Sequence, residues 1–538
     1  MKNPIPSRLR LLAVLIVAAI ASTAFAQPIR SIDLAGTWRF QLDPEDAGID
    51  EHWFHTRLQA SLQLPGSLQE QGFGEPPSIE TTWMGGLNDR SFFSDERYAP
   101  YRTQENFKFP YWLTPTRAYT GAAWFQRDVT IPRSWQGRRI VLQLERPHWE
   151  TRLWVDHQAC GSNNSLAAPH EYDLSAVLTP GTHTLTIRVD NRLIIPVGEN
   201  SHSVSDHTQG NWNGLTGSLK LTASSPVYLE QLQVHPELAA EAVTIKGVIR
   251  GVTPAISKAE LGFRVDQAAG FEQPQTVAAG ELAIDPVTDQ STFQIRLPIE
   301  HPRAWDEFDP ALYRLTVTLA HEQLQQVTFG MREVAVDGTQ IVLNGRRLFL
   351  RGTLECCIFP LTGYPPTQVE PWRRILRIAR AHGLNPLRFQ SWTPPEAAFQ
   401  AADELGFYLY VECPTWANGS TSVGDGRSVD DWIYAEGDRI LEHYGNHPSF
   451  IMMSYGNEPG GNNQQRWLGD LVNSWKAKDP RRLYTSGAGW PMIPENDFHV
   501  THQARGFPVR AELGETAGDY SGFLAGQDKP IVSHEIGQ

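Results

Sequence analysis

The N-terminal part of the chain alternates polar and apolar residues with a period of two. In "GTWRFQLD" the apolar residues Trp38, Phe40 and Leu42 fall on one face, and polar residues fill the positions between them. The same alternation continues in "AAWFQRDVTIP", "RRIVLQLER", "TRLWVDHQ" and "HTLTIRVDN", with Gly, Pro and Asn clusters between the segments. Short strands at this spacing predict an antiparallel β-sandwich that ends near Leu221.

A second series of short strands follows the linker-like sequence "ASSP" at 223–226. Its segments are "VYLEQLQVHP", "AVTIKGVIRG", "KAELGFRVD", "TFQIRLPI" and "YRLTVTLA". Roughly 110 residues in about seven short strands is the size of an immunoglobulin-like sandwich. We therefore expect a second, separate β-domain here.

Beyond Gly338 the pattern changes to a strand followed by a helix, repeated several times. The predicted strands are "RLFLRG", "NPLRF", "FYLYVE", "SFIMMSYGNE", "RLYTSG", "FHVTHQ" and "PIVSHE". The fourth helix carries its large apolar residues on one face, as a helix that covers a sheet requires. These residues are Trp467, Leu468, Leu471, Val472 and Trp475. Strands that alternate with helices predict a (β/α) barrel, whose active site lies at the C-terminal ends of the strands.

Two glutamates lie where predicted barrel strands end. Glu458 follows the fourth strand and Glu535 ends the seventh, 535 − 458 = 77 residues later. A barrel brings both strand ends to one mouth, and two carboxylates in one pocket are what glycoside hydrolysis requires. One carboxyl group protonates the leaving oxygen, and the other attacks the anomeric carbon or activates water. The alternative is that each is an isolated strand-end glutamate, solvated or paired in a salt bridge.

Several longer motifs resemble glycoside hydrolase family 2, the family of β-galactosidases, β-glucuronidases and β-mannosidases. "FGMREV" followed by "IVLNGRRLFLRG" is similar to the family's entry into the barrel, and "NPLRF" is similar to its second-strand motif. "NHPSFIMMSYGNE" resembles the acid/base signature, and "SHEIG" resembles the nucleophile strand. The resemblance implies a multidomain fold: a jelly-roll sugar-binding domain over 27–222, an immunoglobulin-like β-sandwich over 223–335 and a catalytic TIM barrel over 336–538.

The resemblance also implies a role for each matched residue. Glu458 would be the general acid/base and Glu535 the nucleophile of a retaining, double-displacement mechanism. Asn457 would hydrogen-bond the 2-hydroxyl group of the sugar, and Arg388 would support the carboxylate of the nucleophile.

The implied activity is that of a retaining exo-β-glycosidase, with a terminal β-galactoside as the first candidate substrate. A β-glucuronide or β-galacturonide is the alternative within the same family. An alternative from a different class is a non-catalytic carbohydrate-binding protein with a degenerate barrel. A lectin has no need of a paired acid and nucleophile, so the intact pair argues against this alternative.

Other side chains near the strand ends are candidate substrate contacts. Trp392, Trp416 and Trp490 fall in loops after barrel strands, and aromatic rings stack on the apolar faces of sugars. The chain has 17 tryptophans, however, and most of them must be core residues. His502 follows the sixth strand, a usual place for a residue that contacts the nucleophile.

The chain departs from the family pattern at several positions. "FQSWTPPE" follows Arg388 where the family often has Ser-His-Tyr-Pro, so contacts to the outer hydroxyl groups of the sugar are not transferred. Met453 stands where a tryptophan is usual in the acid/base strand. Magnesium-dependent members carry Glu and His ligands after the third strand, where this chain has Trp416 and Asn418. We therefore predict no required metal, and no other cofactor.

Composition narrows the partners and the setting. The net charge of −14 argues against nucleic acid or anionic lipid as a partner. The family resemblance implies oligosaccharides or polysaccharide side chains as substrates. The start "MKNPIPSRLRLLAVLIVAAIASTAFAQ" has the charged, apolar and small-x-small regions of a secretory signal over 1–26. We expect export to the periplasm or the extracellular space without a membrane anchor. The four cysteines do not suggest a disulfide framework and are expected to be free thiols.

The position of the last residue leads to one more expectation. Glu535 ends the seventh predicted strand, and Gln538 is three residues further on. Because a closed barrel has eight strands, we expect the barrel to be truncated after strand 7. The first and seventh strands would then keep unpaired backbone edges.

Overall fold

The computed structural model describes residues 30–85, 91–108, 113–206, 210–251, 259–284, 290–319, 323–502 and 525–535. The predicted signal peptide over 1–26 and the last residue, Gln538, lie outside these ranges. Export and truncation after strand 7 therefore stay predictions. None of the described helices is long and apolar enough to cross a membrane.

Two antiparallel sheets of the N-terminal region pack face to face as the first sandwich. One sheet has the order β1 (Arg30–Asp33), β11 (Gly214–Ser224), β6 (Arg139–His148) and β9 (His170–Asp173), with β4 (Gly66–Ser67) also paired to β11. The other has the order β3 (Ala60–Leu64), β2 (Gly36–Asp43), β5 (Ala122–Ile131), β10 (Gly181–Asp190), β7 (Glu150–Val155) and β8 (Gln158–Asn163). Inward-facing residues such as Trp38, Phe125, Leu142 and Leu219 form a shared core, as the alternating pattern predicted.

The connections of the first sandwich contain short helical turns. These are α1 (Ser91–Ser94) and the 3₁₀ turns Trp53–His55, Gln69–Gln71, Glu96–Tyr101, Gln104–Asn106 and Arg133–Trp135.

The second sandwich has its own core. One antiparallel sheet has the order β12 (Tyr228–Glu237), β13 (Ala242–Arg250) and β16 (Gln290–Pro298). The other has the order β15 (Thr276–Ile284), β14 (Ala259–Gln267), β17 (Tyr313–Leu319) and β18 (Gln323–Phe329). Val234 and Ile245 from the first of these sheets meet Phe263 and Leu315 from the second, so the two sheets bury a common apolar face.

A small antiparallel sheet leads into the barrel. It consists of β19 (Val334–Asp337), β20 (Gln340–Leu343) and β21 (Arg346–Arg347). The prediction that "RLFLRG" is the first barrel strand is wrong, because Leu348 donates its N–H back to the carbonyl of Ile341 in this sheet. The next residue, Phe349, is 74% exposed. The first barrel strand begins instead at Thr353.

The barrel strands run parallel and are paired in sequence order. They are β22 (Thr353–Glu355), β23 (Pro386–Phe389), β24 (Tyr408–Glu412), β25 (Phe450–Ser454) and β26 (Leu483–Thr485), followed by the parallel pair β27 (His499–Thr501) and β28 (Ile531–Ser533). Every residue of β23, β24 and β25 is buried, as expected for a parallel sheet covered on its outer face by helices.

Helices alternate with these strands. They are α2 (Val369–Ala381), α3 (Glu396–Leu405), α4 (Ser428–Tyr444) and α5 (Gln464–Lys478). The predicted apolar face of the helix that is α5 is confirmed, since Leu468, Leu471, Val472 and Trp475 are buried against the sheet. Trp467 is partly buried at the edge of the same cluster.

The first sandwich contacts the C-terminal ends of the barrel strands. Its segment 197–206 lies on the loops that follow β23 and β24. The hydroxyl of Ser201 donates to the carbonyl of Ser391 at 3.0 Å, and the N–H of His202 donates to the Ser391 hydroxyl at 2.9 Å. The N–H of Trp416 donates to the carbonyl of Val197 at 2.8 Å.

The second sandwich contacts the opposite end of the barrel. Arg481, just before β26, donates to the carbonyl of Val234 at 2.7 Å. Asn446, which precedes β25, accepts from the N–H of Val234 at 2.9 Å and donates to the carbonyl of Leu232 at 2.9 Å. The two sandwiches therefore contact opposite ends of the barrel, the first after β23 and β24 and the second before β25 and β26.

Candidate active site

Glu458 and Glu535 lie together at the C-terminal end of the barrel. One carboxylate oxygen of each glutamate and one ring nitrogen of His502 all lie within 4.8 Å of one another. Glu458 is 5% exposed and Glu535 is 2% exposed. The barrel thus brings together two residues that are 77 positions apart in the sequence, as the strand-end positions predicted.

The local backbone after β25 aims Glu458 at this centre. Gly456 has φ +146°, and a Cβ there would lie 2.2 Å from the Thr415 hydroxyl, so the strand approaches its neighbour more closely than a side chain allows. The N–H of Asn457 then donates to the carbonyl of Thr415 at 3.0 Å. Glu458 itself has φ +30°, which is rare for a residue with a side chain.

The carboxylate of Glu458 is held by the loop that follows β24. The indole N–H of Trp416 donates to Oε2 at 3.1 Å, and the amide N–H of Asn418 donates to the same oxygen at 3.4 Å. The Nδ1 atom of His502 lies 3.2 Å from the other oxygen, Oε1. Each oxygen of Glu458 therefore has a defined neighbour in the site.

The carboxylate of Glu535 lies among donors from β23 and β27. The side-chain amide of Gln390 donates to Oε1 at 3.3 Å, and Nη1 of Arg388 lies 3.7 Å from that oxygen. Nε2 of His502 is 3.4 Å from it. The imidazole of His502 thus stands between the two glutamates, with one ring nitrogen toward each.

A buried charge network positions Arg388. Its Nε donates to Glu412 at 2.7 Å, and Nη2 donates to Oδ1 of Asn457 at 2.8 Å. Burial alone would lower the pKa of the Arg388 guanidinium, but the charge of Glu412, a hydrogen bond to it and the charge of Glu535 raise the pKa above its usual value. Arg388 therefore remains a cation beside Glu535.

The amide of Asn457 is oriented by the same network. Because Oδ1 accepts from Arg388, the Nδ2 group is fixed on the other side, and it has no hydrogen-bond partner among the described residues. An unpaired buried donor costs about 1–3 kcal/mol unless a ligand completes it. This geometry fits a donor reserved for a substrate hydroxyl group.

The three candidate tryptophans fall in three different environments. Trp416 directs its N–H at Glu458, and Trp490 is half-buried with its ring 5.9 Å from that of His502. Trp392 is fully buried against Phe389 and donates its N–H to the carbonyl of Glu355. Trp392 is therefore a core residue, and the interpretation of its ring as a sugar-stacking surface does not fit its position.

Sequence analysis missed several residues of this site. Glu412 ends the buried segment "FYLYVE", just as Glu458 follows the fourth predicted strand. The strand-end pattern therefore points to Glu412 as well. Gln390 and Asn418 lie in stretches that were noted only as departures from a family pattern. His202 comes from the first sandwich and packs edge-on against Trp416, with ring centroids 5.6 Å apart. No motif in the sequence pointed to it.

The arrangement can perform a defined type of chemistry. Carboxyl groups about 5–5.5 Å apart are typical of retaining glycosidases, whereas inverting enzymes keep them about 6.5–9.5 Å apart to admit a water molecule. One oxygen of Glu458 and one of Glu535 lie within 4.8 Å of each other, which is compatible with the first class. The Arg388 guanidinium also places a positive charge 3.7 Å from Oε1 of Glu535.

Comparison with known families agrees with this geometry. The model of the glycosyl hydrolases family 2 sugar binding domain matches residues 87–223, and the model named glycosyl hydrolases family 2 matches residues 227–332. The model of the family's TIM barrel domain matches residues 334–531. The chain belongs to glycoside hydrolase family 2.

Curated relatives of this family 2 chain are distant in sequence. A β-galactosidase of Aeromonas hydrophila is 25% identical, with 96% of this chain and 49% of the relative covered. A β-galactosidase of Enterobacter cloacae is 24% identical, with 88% of this chain and 44% of the relative covered. A β-glucuronidase of Paenibacillus borealis is 23% identical, with 86% of this chain and 73% of the relative covered. The chain spans about half the length of the curated β-galactosidases.

Solved structures of family 2 proteins share the fold. The β-glucuronidase of Ruminococcus gnavus aligns with a TM-score of 0.68 at 18% identity, over 95% of this chain and 84% of that protein. A family 2 member from Bacteroides cellulosilyticus aligns with a TM-score of 0.64 at 17% identity, over 87% of this chain and 57% of that protein. The likeness extends over the sandwiches and the barrel together.

Proposed function

We propose that the chain carries the catalytic centre of a retaining exo-β-glycosidase that releases terminal β-linked sugars. The observation that supports this most strongly is the buried pair Glu458 and Glu535, with carboxylate oxygens within 4.8 Å of each other and a guanidinium beside the second. The signal-like N-terminal sequence supports export to the periplasm or extracellular space, where such substrates occur.

The proposal gives each glutamate a separate role. Glu535 attacks the anomeric carbon while Glu458 gives its proton to the departing glycosidic oxygen, which leaves a covalent glycosyl-enzyme ester on Glu535. Esterification removes the negative charge of Glu535, so Glu458 then readily holds a negative charge itself. Glu458 next takes a proton from water, and the hydroxide formed breaks the ester with net retention.

The described part of the site favours a neutral sugar, with a β-galactoside as the first candidate. Two sides of the Arg388 guanidinium are already occupied by Glu412 and Asn457, and its third nitrogen faces Glu535. A uronic acid would need a further cation for its carboxylate. A β-glucuronide is the second candidate, because the β-glucuronidase relative is covered over 73% of its length.

A panel of aryl β-glycosides tests the substrate class. The expected result is release from an aryl β-galactoside and none from the matching α-glycosides. Preference for an aryl β-glucuronide would select the second candidate, and release from α-glycosides alone would overturn the proposal. A chelator is expected to leave the rate unchanged, since the loop after β24 presents N–H donors to Glu458 at this point.

Variants of the two glutamates test their separate roles. Glu458→Gln is expected to lower turnover by about 10²–10⁴-fold on substrates with poor leaving groups, and by less when the leaving group departs without a proton. With azide, a Glu535→Ala variant should form a glycosyl azide of inverted configuration, and a Glu458→Ala variant one of retained configuration.

A matched control is Glu355→Gln, since Glu355 also ends a barrel strand but accepts instead from the backbone N–H groups of Cys357 and Ile358. Normal hydrolysis by both Glu458→Gln and Glu535→Gln, or equal losses in all three variants, would contradict the assignment.

A further inference from the structure

The loop that follows β24 places two neutral donors on one oxygen of Glu458. The indole N–H of Trp416 and the side-chain amide of Asn418 both reach Oε2, at 3.1 and 3.4 Å. Trp416 is half-buried and Asn418 is exposed, so the indole provides the better-shielded hydrogen bond.

The backbone of the loop is attached on both sides. The N–H of Asn418 donates to the carbonyl of Glu458 at 2.9 Å, and the N–H of Trp416 donates to Val197 of the first sandwich at 2.8 Å. Gly198 lies so close to this loop that a Cβ would be 1.8 Å from the carbonyl oxygen of Trp416. The two donors are therefore presented by a loop with little freedom to move away.

We propose that Trp416 and Asn418 are positioning residues that hold Oε2 of Glu458, so that the transferable proton is carried on Oε1. This inference rests on the proposed function, in which Glu458 is the acid/base. A carboxyl proton and two N–H donors cannot readily share one oxygen, and so the proton takes the other oxygen, Oε1, which faces His502. The same donors favour the ionised form of Glu458, which must exist after the first proton transfer.

Other charged groups near Glu458 also influence its ionisation. His502 faces it from the end of β27, and Glu535 faces it from the end of β28. Arg388 of β23 acts through Asn457, and Glu412 of β24 lies behind Arg388. All four remain in place when either donor is removed, so a change in the titration of the site reports the lost hydrogen bond.

The pH dependence of kcat/KM tests the proposal. Trp416→Phe keeps an aromatic ring but removes the N–H, and the ionised carboxylate loses a hydrogen bond that favours it. Glu458 then keeps its proton to higher pH, and the alkaline limb of the profile moves up by about one pH unit. Asn418→Ala should move the limb in the same direction by less, because that donor is exposed and its bond is longer.

Trp490→Phe is the matched control. Trp490 also lies at the mouth, but its N–H donates to the backbone carbonyl of Pro459 and not to Glu458. Removal of this N–H should leave the alkaline limb of the pH profile unchanged, whatever the change in KM. A fall in kcat/KM for Trp416→Phe with the limb unmoved would overturn the proposal and make the indole a substrate contact instead.

A titration that needs no substrate separates this proposal from the proposed function. With ¹³C-labelled glutamate, the carboxyl resonance of Glu458 is identified by its loss in Glu458→Gln, and its midpoint is followed by NMR. The midpoint should rise in Trp416→Phe and in Asn418→Ala. Unchanged midpoints in both variants would refute the proposed role of Trp416 and Asn418, even if the enzyme were active. A raised midpoint in a protein that hydrolyses no glycoside would support the proposed role of Trp416 and Asn418. It would refute only the proposed glycosidase function.

Discussion

The two sandwiches touch the barrel at opposite ends, and the contacts differ in kind. The first sandwich reaches the C-terminal ends of the strands, where Val197 and Ser201 bind the loops that carry Trp416 and Ser391. The second sandwich reaches the N-terminal ends through Arg481 and Asn446. Barrel enzymes keep their chemistry at the C-terminal face and their stability at the other. The two accessory domains therefore have different work to do.

The packing of the two interfaces follows the same division. Segment 197–206 is fitted so closely that Gly198 has no room for a Cβ. Between the second sandwich and α4, in contrast, lies a cavity of about 560 Å³ with Lys246, Phe293, Asp438 and Glu442 in its lining. The first interface constrains the position of a catalytic loop, whereas the second only needs to hold the domains together.

Gly198→Ala should have the largest effect on kcat/KM, because it disturbs the interface of the first sandwich with the barrel. The new Cβ would overlap the Trp416 carbonyl at 1.8 Å, and φ +105° adds backbone strain. Displacement of this loop by about 1 Å should lower kcat/KM by about 10²-fold. Gly137→Ala is the control, because Gly137 has φ +72° in the same sandwich but nothing within 4 Å of a Cβ. Equal losses in both variants would show that strain, and not the contact with Trp416, is responsible.

Arg481→Ala should weaken the second interface without changing the chemistry. Its guanidinium is buried and bonded to Val234, Asn446 and Asp479, so its loss should lower the free energy of unfolding by about 2–3 kcal/mol. Calorimetry should show the barrel transition at a lower temperature, with kcat unchanged below it. Arg264→Ala, which removes an exposed pair with Asp266, should cost at most about 1 kcal/mol. A large fall in kcat for Arg481→Ala would contradict the division of labour.

Asp206→Asn should change the pH dependence of stability, and only over a limited pH range. Burial raises the pKa of Asp206 to about 7, although it accepts from the backbone N–H groups of Met84 and Gly85. Because the folded pKa is raised, its stabilising contribution is complete below pH 3.8 and is lost as the pH rises through 7. The variant should flatten the decline in melting temperature between pH 4 and 7.

Asp128→Asn serves as the control for that range. The hydrogen bond from Arg39 lowers the pKa of Asp128 to about 2, so its contribution is lost only as the pH falls from 3.8 through 2. The slope between pH 4 and 7 should therefore not change in this variant. A slope unchanged in Asp206→Asn as well would show that Asp206 does not titrate in this range.

The proximity of Glu458 and Glu535 could be predicted from the sequence because each glutamate stands where an apolar strand ends. The same signal occurs at Glu355 and Glu412, which the structure places in other roles, one capping a backbone turn and one paired with Arg388. Strand position alone does not separate these cases. Which side of the strand end a carboxylate faces depends on the turn that follows, such as the left-handed backbone at Glu458.

The substrate-contact residues were harder to predict for a similar reason. Trp392 and Trp416 both lie shortly after buried strands, yet one ring fills the core and the other directs its N–H at Glu458. How deeply a loop side chain is buried depends on its packing against other elements. The local sequence does not contain that information. His202 shows the limit most clearly, since it reaches the site from a different domain. The family motifs predicted the order of the two sandwiches and the barrel well, because those motifs are local in sequence.

The left-handed backbone at Glu458 has an evolutionary consequence. A residue with a side chain at φ +30° carries strain of order 1–3 kcal/mol, and glycine would relieve it. The proposed acid/base role, however, requires a carboxyl group at this position. Selection for thermal stability and selection for turnover therefore act in opposite directions on one codon. A library screened for folded protein alone would enrich glycine at position 458 and lose the proposed acid/base.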